Sequence, residues 1–242
     1  MLTKAEIASV RALREKKSRA AAGSFVIEGE KVVAELLAAG FPFTAVYATA
    51  GWAGKSTHSV TLEEMARLSH YPAPSSVLAV GPIPQEPWGA GALNRGLTLA
   101  LDRVQDPGNV GTMLRIADWF AFARVLLSPD CADPSSQKAI NASMGSYVRI
   151  PWQVADLSDA LAGVTAPILG CDAGGEDVHR LAPLIDAVVV IGSEGQGLSA
   201  AVRSRLTGVI AIPGYGSAES LNAAVAAGII CDQLRTHSAI KP

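Results

Sequence analysis

The sequence predicts an α/β protein whose larger part is a parallel sheet with helices on both faces, preceded by a smaller α/β unit. Segments 97–104, 123–129, 166–172, 186–192 and 208–214 are near-continuous runs of Val, Ile, Leu and Ala, the pattern of strands buried on both faces. Helix-periodic stretches lie between them, which makes the strands parallel. Residues 84–96 are rich in Pro and Gly without periodicity, the composition of a linker. These observations predict domains at 1–83 and 97–242, joined by 84–96.

In the first domain, a basic helix over 4–19 leads to a strand at 24–29 and a helix at 30–40 that ends on glycine. A second strand follows at 43–49. Thr61, with Glu64 three residues on, predicts a capped helix start, and "SSVLAVG" closes the unit as a strand. In the second domain, "LTLALDRV" leads into "DPGNVGTMLRIADWF". There Val110, Met113, Leu114, Ala117 and Phe120 follow the spacing of a helix face laid on a sheet. Arg115 falls off that stripe and is free to point elsewhere. A further helix is expected over 135–145.

With 242 residues and 49% apolar composition, the chain supports a sizeable core. No stretch approaches the roughly 18 apolar residues of a membrane span, and the opening "MLTKAEIASV" lacks the features of a signal peptide. The expected compartment is the cytoplasm. Cys131, Cys171 and Cys231 stand far apart, outside any metal or redox pattern, and His58, His70, His179 and His237 are equally scattered. No metal site is expected. The formal net charge of −2 argues against nucleic-acid binding by a global positive field. Lys4, Arg11, Arg14, Lys16, Lys17 and Arg19 nevertheless form a local basic run. By itself such a run reads as a solvated helix face.

Ligands of open α/β sheets bind beyond the carboxyl ends of strands, so the loops following strands matter most. "QDPGNVG" (105–111), "GSEGQGLS" (192–199) and "PGYGSAESLN" (213–222) are all glycine-rich. Each ends at a candidate helix cap: Asn109, Ser199 and Ser220. A single such loop would be a well-made turn, whereas several on one edge indicate a ligand of nucleoside type. No G-x-G-x-x-G or P-loop follows a strand, which argues against a nucleotide-dependent oxidoreductase. The carboxylate of Glu194 would repel phosphate, so hydroxyl, amine or sulfonium character fits better.

The stretches "LDRVQDPGNVGTMLRIADWF", "VVVIGSEGQGLS" and "IAIPGYGSAESLNAAVAAG", in that order, resemble the signatures of the SpoU/TrmH branch of the SPOUT class of S-adenosylmethionine-dependent RNA 2′-O-ribose methyltransferases. "KSRAAAGSFVIEGEKVVAELLAAG" is similar to the opening of the ribosomal-protein-like α/β/α substrate-binding domain that precedes the catalytic domain in many members. The resemblance implies a deep trefoil knot in the catalytic domain, S-adenosylmethionine as methyl donor, an RNA substrate (rRNA rather than tRNA from the two-domain layout) and a homodimer. An antibiotic-resistance role is compatible with the same layout. A non-catalytic RNA-binding or ribosome-assembly factor on this scaffold is the alternative.

Matched to the family pattern, Asn109, Arg115, Glu194, Ser220 and Asn222 are the implied polar residues of the active site. Gly192, Glu194, Gly195, Ile212, Leu221 and Asn222 would surround the methyl donor. In an RNA-binding context Lys16, Lys17 and Arg19 become candidate phosphate contacts. The small-residue helix over 221–231 suits either a dimer interface or burial on its own sheet. Gly214 stands where many members carry a bulkier residue, and Ala223 and Ala224 replace the commoner valine and serine. Guanidinium groups stay protonated over the pH range of proteins, so Arg115 is expected to hold a phosphate and stabilise the forming oxyanion rather than to act as base.

Overall fold

The computed structural model describes residues 2–85 and 87–235. His237 and the end of the 97–242 segment lie outside them. In chain order the elements are α1 (Lys4–Ala12), α2 (Lys16–Ala22), β1 (Ser24–Glu28), α3 (Glu30–Ala38), β2 (Ala45–Ala48), β3 (His58–Ser59), α4 (Leu62–Leu68) and β4 (Val77–Pro82). They continue with β5 (Leu97–Asp102), α5 (Pro107–Trp119), β6 (Arg124–Leu127), α6 (Gln137–Ser143), α7 (Ser146–Arg149), β7 (Trp152–Val154) and α8 (Leu157–Ala160). The last are β8 (Ile168–Asp177), β9 (Ala187–Gly192), α9 (Ala200–Arg203), β10 (Gly208–Ala211) and α10 (Ala223–Arg235).

The chain divides into two compact units, 1–84 with 133–149, and 85–132 with 150–242. Residues 133–149, which the sequence reading assigns to the second domain, thus group with the first unit. The link is side-chain contact: the Tyr147 ring meets Phe25 edge-on at 5.2 Å, and Gln137 accepts a bond from the Glu28 backbone N–H.

The first unit is a four-stranded sheet in the order β1-β4-β2-β3. One of its faces carries Val26, Tyr47 and Leu78 against Ile7, Val10 and Leu13 from the N-terminal helix and Met65 and Leu68 from α4. The expected single basic helix is broken into α1 and α2 at residues 13–15. Thr61 and Glu64 form the anticipated capping box at the start of α4.

The second unit is a wholly parallel six-stranded sheet in the order β10-β8-β9-β5-β6-β7. Its central strands are buried along their length, as two covered faces require. Leu157, Leu161, Leu198 and Val202 cover one face together with Leu93. Helices α5 and α10 pack against one another, and Val110, Met113, Leu114 and Ala117 are buried as the stripe requires. Chain order reverses between β5 and β9, since β6 follows on one side and β8 on the other. That is the switch point at which ligand crevices open in such sheets. Among the described residues no helix is long and apolar enough to cross a membrane.

Candidate active site

At the switch point the loops after β5, β9 and β10 come together through side chains. Asn109 sits in the first turn of α5, after Asp106, which caps the helix by accepting from the Gly108 N–H, and Pro107. Asn109 Nδ2 donates to Glu194 Oε1 at 2.9 Å. Asn222 Nδ2 donates to the same oxygen at 2.7 Å and to Asn109 Oδ1 at 3.1 Å. The Ala223 N–H adds a third donor to Glu194 Oε1, at 3.2 Å. One carboxylate oxygen thus ties together residues 109, 194 and 222, each from a different loop. The other oxygen of Glu194 accepts no bond among the described residues.

Local sequence explains each placement. Gly192 ends β9 where the loop folds back, and a Cβ there would lie 2.5 Å from the Gly197 backbone carbon, so only glycine fits. Gly197 adopts φ +61°, which glycine accepts without strain, and closes the turn by donating from its N–H to the Ser193 carbonyl at 2.8 Å. Asn222 caps α10, its Oδ1 accepting from the Ala224 and Val225 N–H groups at 3.0 and 3.2 Å. Of the expected caps only Ser199 holds that position. At α5 the cap is Asp106 instead of Asn109, because Pro107 is preorganised for N1 and fixes the start there. At α10 it is Asn222 instead of Ser220, since the helix begins at Ala223.

The remaining expected residues are near in sequence but not bonded into this cluster. Arg115 lies on the exposed side of α5, and its guanidinium makes no hydrogen bond or ion pair with any described residue. Ser220 and Leu221 are exposed, whereas Gly192 and Ile212 are partly covered. Gly195, Gly214 and Gly216 have open space where a Cβ would stand, so the glycine loops leave room beside the cluster. A carboxylate with a spare acceptor and two carboxamides fit a ligand offering hydroxyls, an amine and a sulfonium, and do not fit a phosphate. No group of metal-ligating side chains is present among the described residues. Burial pushes the Cys171 and Cys231 thiols well above their ordinary range, which removes them as nucleophiles.

In the first unit, Lys16 and Lys17 are exposed. Arg19 is not: it is 7% exposed, bonded to Asp133 at 2.5 Å, and donates to the Leu13 and Arg14 carbonyls. Its role is to pin the helix break to residue 133, so Arg19 is corrected from phosphate contact to internal brace. Sequence reading also passed over Asp102, Arg103, Asp172 and Arg203, which support the Glu194 loop. The signal available was the charged pair Asp102-Arg103 ending an otherwise apolar strand.

A covered parallel sheet with a polar cluster at its switch point marks a candidate ligand site, and the comparisons give the chain a family. Residues 96–232 match the SpoU rRNA methylase family, and residues 4–79 match the MRM3-like substrate-binding domain. The chain belongs to the SpoU rRNA methylase family. It is 33% identical, over 95% of its length and 90% of the relative's, to an uncharacterized tRNA/rRNA methyltransferase of Synechocystis. It is 29% identical to the 23S rRNA (guanosine(2553)-2′-O)-methyltransferase RlmP of Bacillus subtilis, covering 92% of this chain and 93% of that one. An AdoMet-bound rRNA methyltransferase from Sinorhizobium meliloti superposes with a TM-score of 0.84 at 27% identity, covering 98% and 97% of the two chains.

Proposed function

We propose that the protein transfers a methyl group from S-adenosylmethionine to a ribose 2′-oxygen of structured rRNA. The observation that carries this reading is the single Glu194 oxygen shared by Asn109, Asn222 and the Ala223 N–H, with the unpaired Arg115 guanidinium on the same helix as Asn109. The family, the 2′-O activity in the name of the Bacillus relative and the AdoMet-bound Sinorhizobium structure support it.

The backbone around Gly192, Gly195, Ile212 and Leu221 would hold the donor, with Glu194 and Asn222 taking its polar groups. When bound, the donor supplies a methyl group already activated on sulfonium. The chain's task is therefore alignment and charge management. Fixing two reactants in line is worth roughly 7 to 11 kcal/mol. Asn109 and Asn222 orient the ribose and fix the loops, Ser220 shapes the pocket beside the α10 cap, and the free oxygen of Glu194 accepts from a hydroxyl or amine. Arg115 holds the adjacent phosphate in a forked contact and stabilises the oxyanion as the hydroxyl proton leaves to phosphate, water or a nearby carboxylate. Lys16 and Lys17 add phosphate contacts from the substrate-binding domain.

The reading includes the knot of the last part of the catalytic domain, a cytoplasmic setting and a homodimer. Trp119 on α5 and Val225 on α10 are 79% and 53% exposed on neighbouring helices, which supports self-association there. Ala224, Ala227 and Cys231 are buried within the chain, so the small-residue stripe of α10 serves its own fold. Mapping 2′-O-methylation across total RNA, with and without the gene, tests the function. One rRNA site is expected to vanish and to return with the wild-type gene but not with Arg115→Ala. An unchanged map, as for a non-catalytic assembly factor, overturns it.

A further inference from the structure

The loop that carries Glu194 does not hold its shape alone. Residues 193–197 form a tight turn closed by the Gly197 N–H on the Ser193 carbonyl, and everything else that fixes it comes from outside. Asp102, 3% exposed at its side chain, ends β5 directly opposite Gly192 and accepts from the Ser199 N–H at 2.6 Å through Oδ2. Arg103 follows it and donates from Nη1 to Gln196 Oε1 at 2.9 Å and from Nη2 to the Gly197 carbonyl at 3.2 Å. From the other side Arg203, paired with Asp172, donates from Nε to the Leu198 carbonyl at 3.2 Å.

Successive side chains of a strand point to opposite faces, so Asp102 and Arg103 could not both reach one neighbouring loop from regular β backbone. They do so because Arg103 is turned into the left-handed region, at φ +59°. A non-glycine residue held there is strained, and such strain persists only where surrounding contacts over-determine it. Here the backbone N–H of Arg103 is held by Ser128 Oγ at 2.9 Å, and its side chain is spent on the turn beside Glu194.

We propose that Arg103 is a positioning residue for methyl-donor binding: with Asp102 on its own strand, and Arg203 opposite, it clamps the 193–199 turn so that Glu194 meets Asn109 and Asn222. Arg103 acts through the loop and makes no contact with the reacting atoms. This inference rests on the proposed function for its link to the donor, but the clamp itself can be read without one.

The test uses the full-length protein with two readouts, amide hydrogen exchange across 193–199 without ligand and calorimetric titration with S-adenosylmethionine. Arg103→Gly removes the side chain while suiting the left-handed backbone, so its melting temperature is expected to stay within a few degrees of wild type. Loop exchange should rise about tenfold and the Kd for S-adenosylmethionine about tenfold, the effect of losing two hydrogen bonds. Arg103→Lys, which keeps the charge but offers a single nitrogen in place of the fork, should fall between. Gln196→Ala, a substitution of an exposed residue, should loosen the loop by a smaller factor and serves if the glycine variant folds poorly.

Unchanged exchange, or faster exchange with unchanged affinity, overturns the proposal. Weaker affinity with unchanged exchange also overturns it, since Arg103 would then touch the donor directly. If wild type itself fails to bind S-adenosylmethionine, the proposed function fails, and the exchange readout still decides whether Arg103 clamps the loop.

Discussion

Replacing Asn222 with aspartate separates the two jobs this residue holds. Its Oδ1 caps α10, and aspartate caps as well as asparagine, a contribution of about 1 kcal/mol that the variant keeps. Its Nδ2 donates to Glu194 Oε1 at 2.7 Å and Asn109 Oδ1 at 3.1 Å, and aspartate donates neither. The bond to a carboxylate is worth about 1.5 kcal/mol, with the neutral one somewhat less. Two carboxylates about 3 Å apart in a water-like dielectric then repel by about 1.4 kcal/mol. The whole effect is on the order of 4 kcal/mol at the site, up to about 600-fold in donor affinity. Calorimetric titration with S-adenosylmethionine measures it, alongside a thermal melt expected to fall by several degrees because the lost contacts lie within the folded chain. Asn222→Ser, which can still cap but lacks the amide donor and brings no charge repulsion, should lose only about 60-fold. An Asn222→Asp protein binding the donor within about threefold of wild type would refute the reasoning, because the shared oxygen would then not organise the site.

Four other outcomes follow from the geometry. Arg115→Lys should bind the donor normally yet transfer methyl groups at least about tenfold more slowly in a single-turnover assay, since lysine cannot make a forked phosphate contact; near-normal turnover would show the fork is unimportant. Arg19→Ala leaves Asp133 without its buried partner and should cost about 3 to 5 kcal/mol in chemical denaturation, whereas Lys17→Ala should leave stability unchanged and flatten the salt dependence of RNA binding. Burial and then the Arg14 charge, opposed by Glu28, bring His70 down from 6.5 to about 4. Between those values the unfolded chain binds a proton that the fold refuses, so stability present above pH 6.5 is lost as pH falls toward 4. Discounted for partial exposure, the loss is on the order of 1 to 2 kcal/mol, and a His70→Gln variant melted across that range should show a shallower decline.

Much of this architecture was legible in the sequence because it rests on local pattern. The apolar runs mark strands buried on both faces, and Thr61 with Glu64 marks a helix start. The stripe from Val110 to Ala117 leaves Arg115 outside the core. What escaped depends on partners distant along the chain. Arg19 reads as one more basic surface residue until Asp133, 114 positions away, is beside it. Residues 133–149 read as part of the second domain until Tyr147 meets Phe25. β8 runs through glycines to Asp177, well past the apolar segment at 166–172, because pairing with β10 resumes at Glu176 after a register shift. Composition alone would end that strand early. At the site, Asn109, Glu194 and Asn222 were legible as residue types, but their sharing of one carboxylate oxygen is a fact of topology. The backbone reversal at Arg103 has no sequence signature, since left-handed conformations favour glycine or asparagine.

The central claim, that the loops after β5, β9 and β10 build one methyl-donor site, is tested most directly by the amide-exchange footprint of S-adenosylmethionine on the wild-type protein. Protection is expected to concentrate in 105–111, 192–198 and 212–224. A footprint elsewhere, or none at saturating donor, would contradict it.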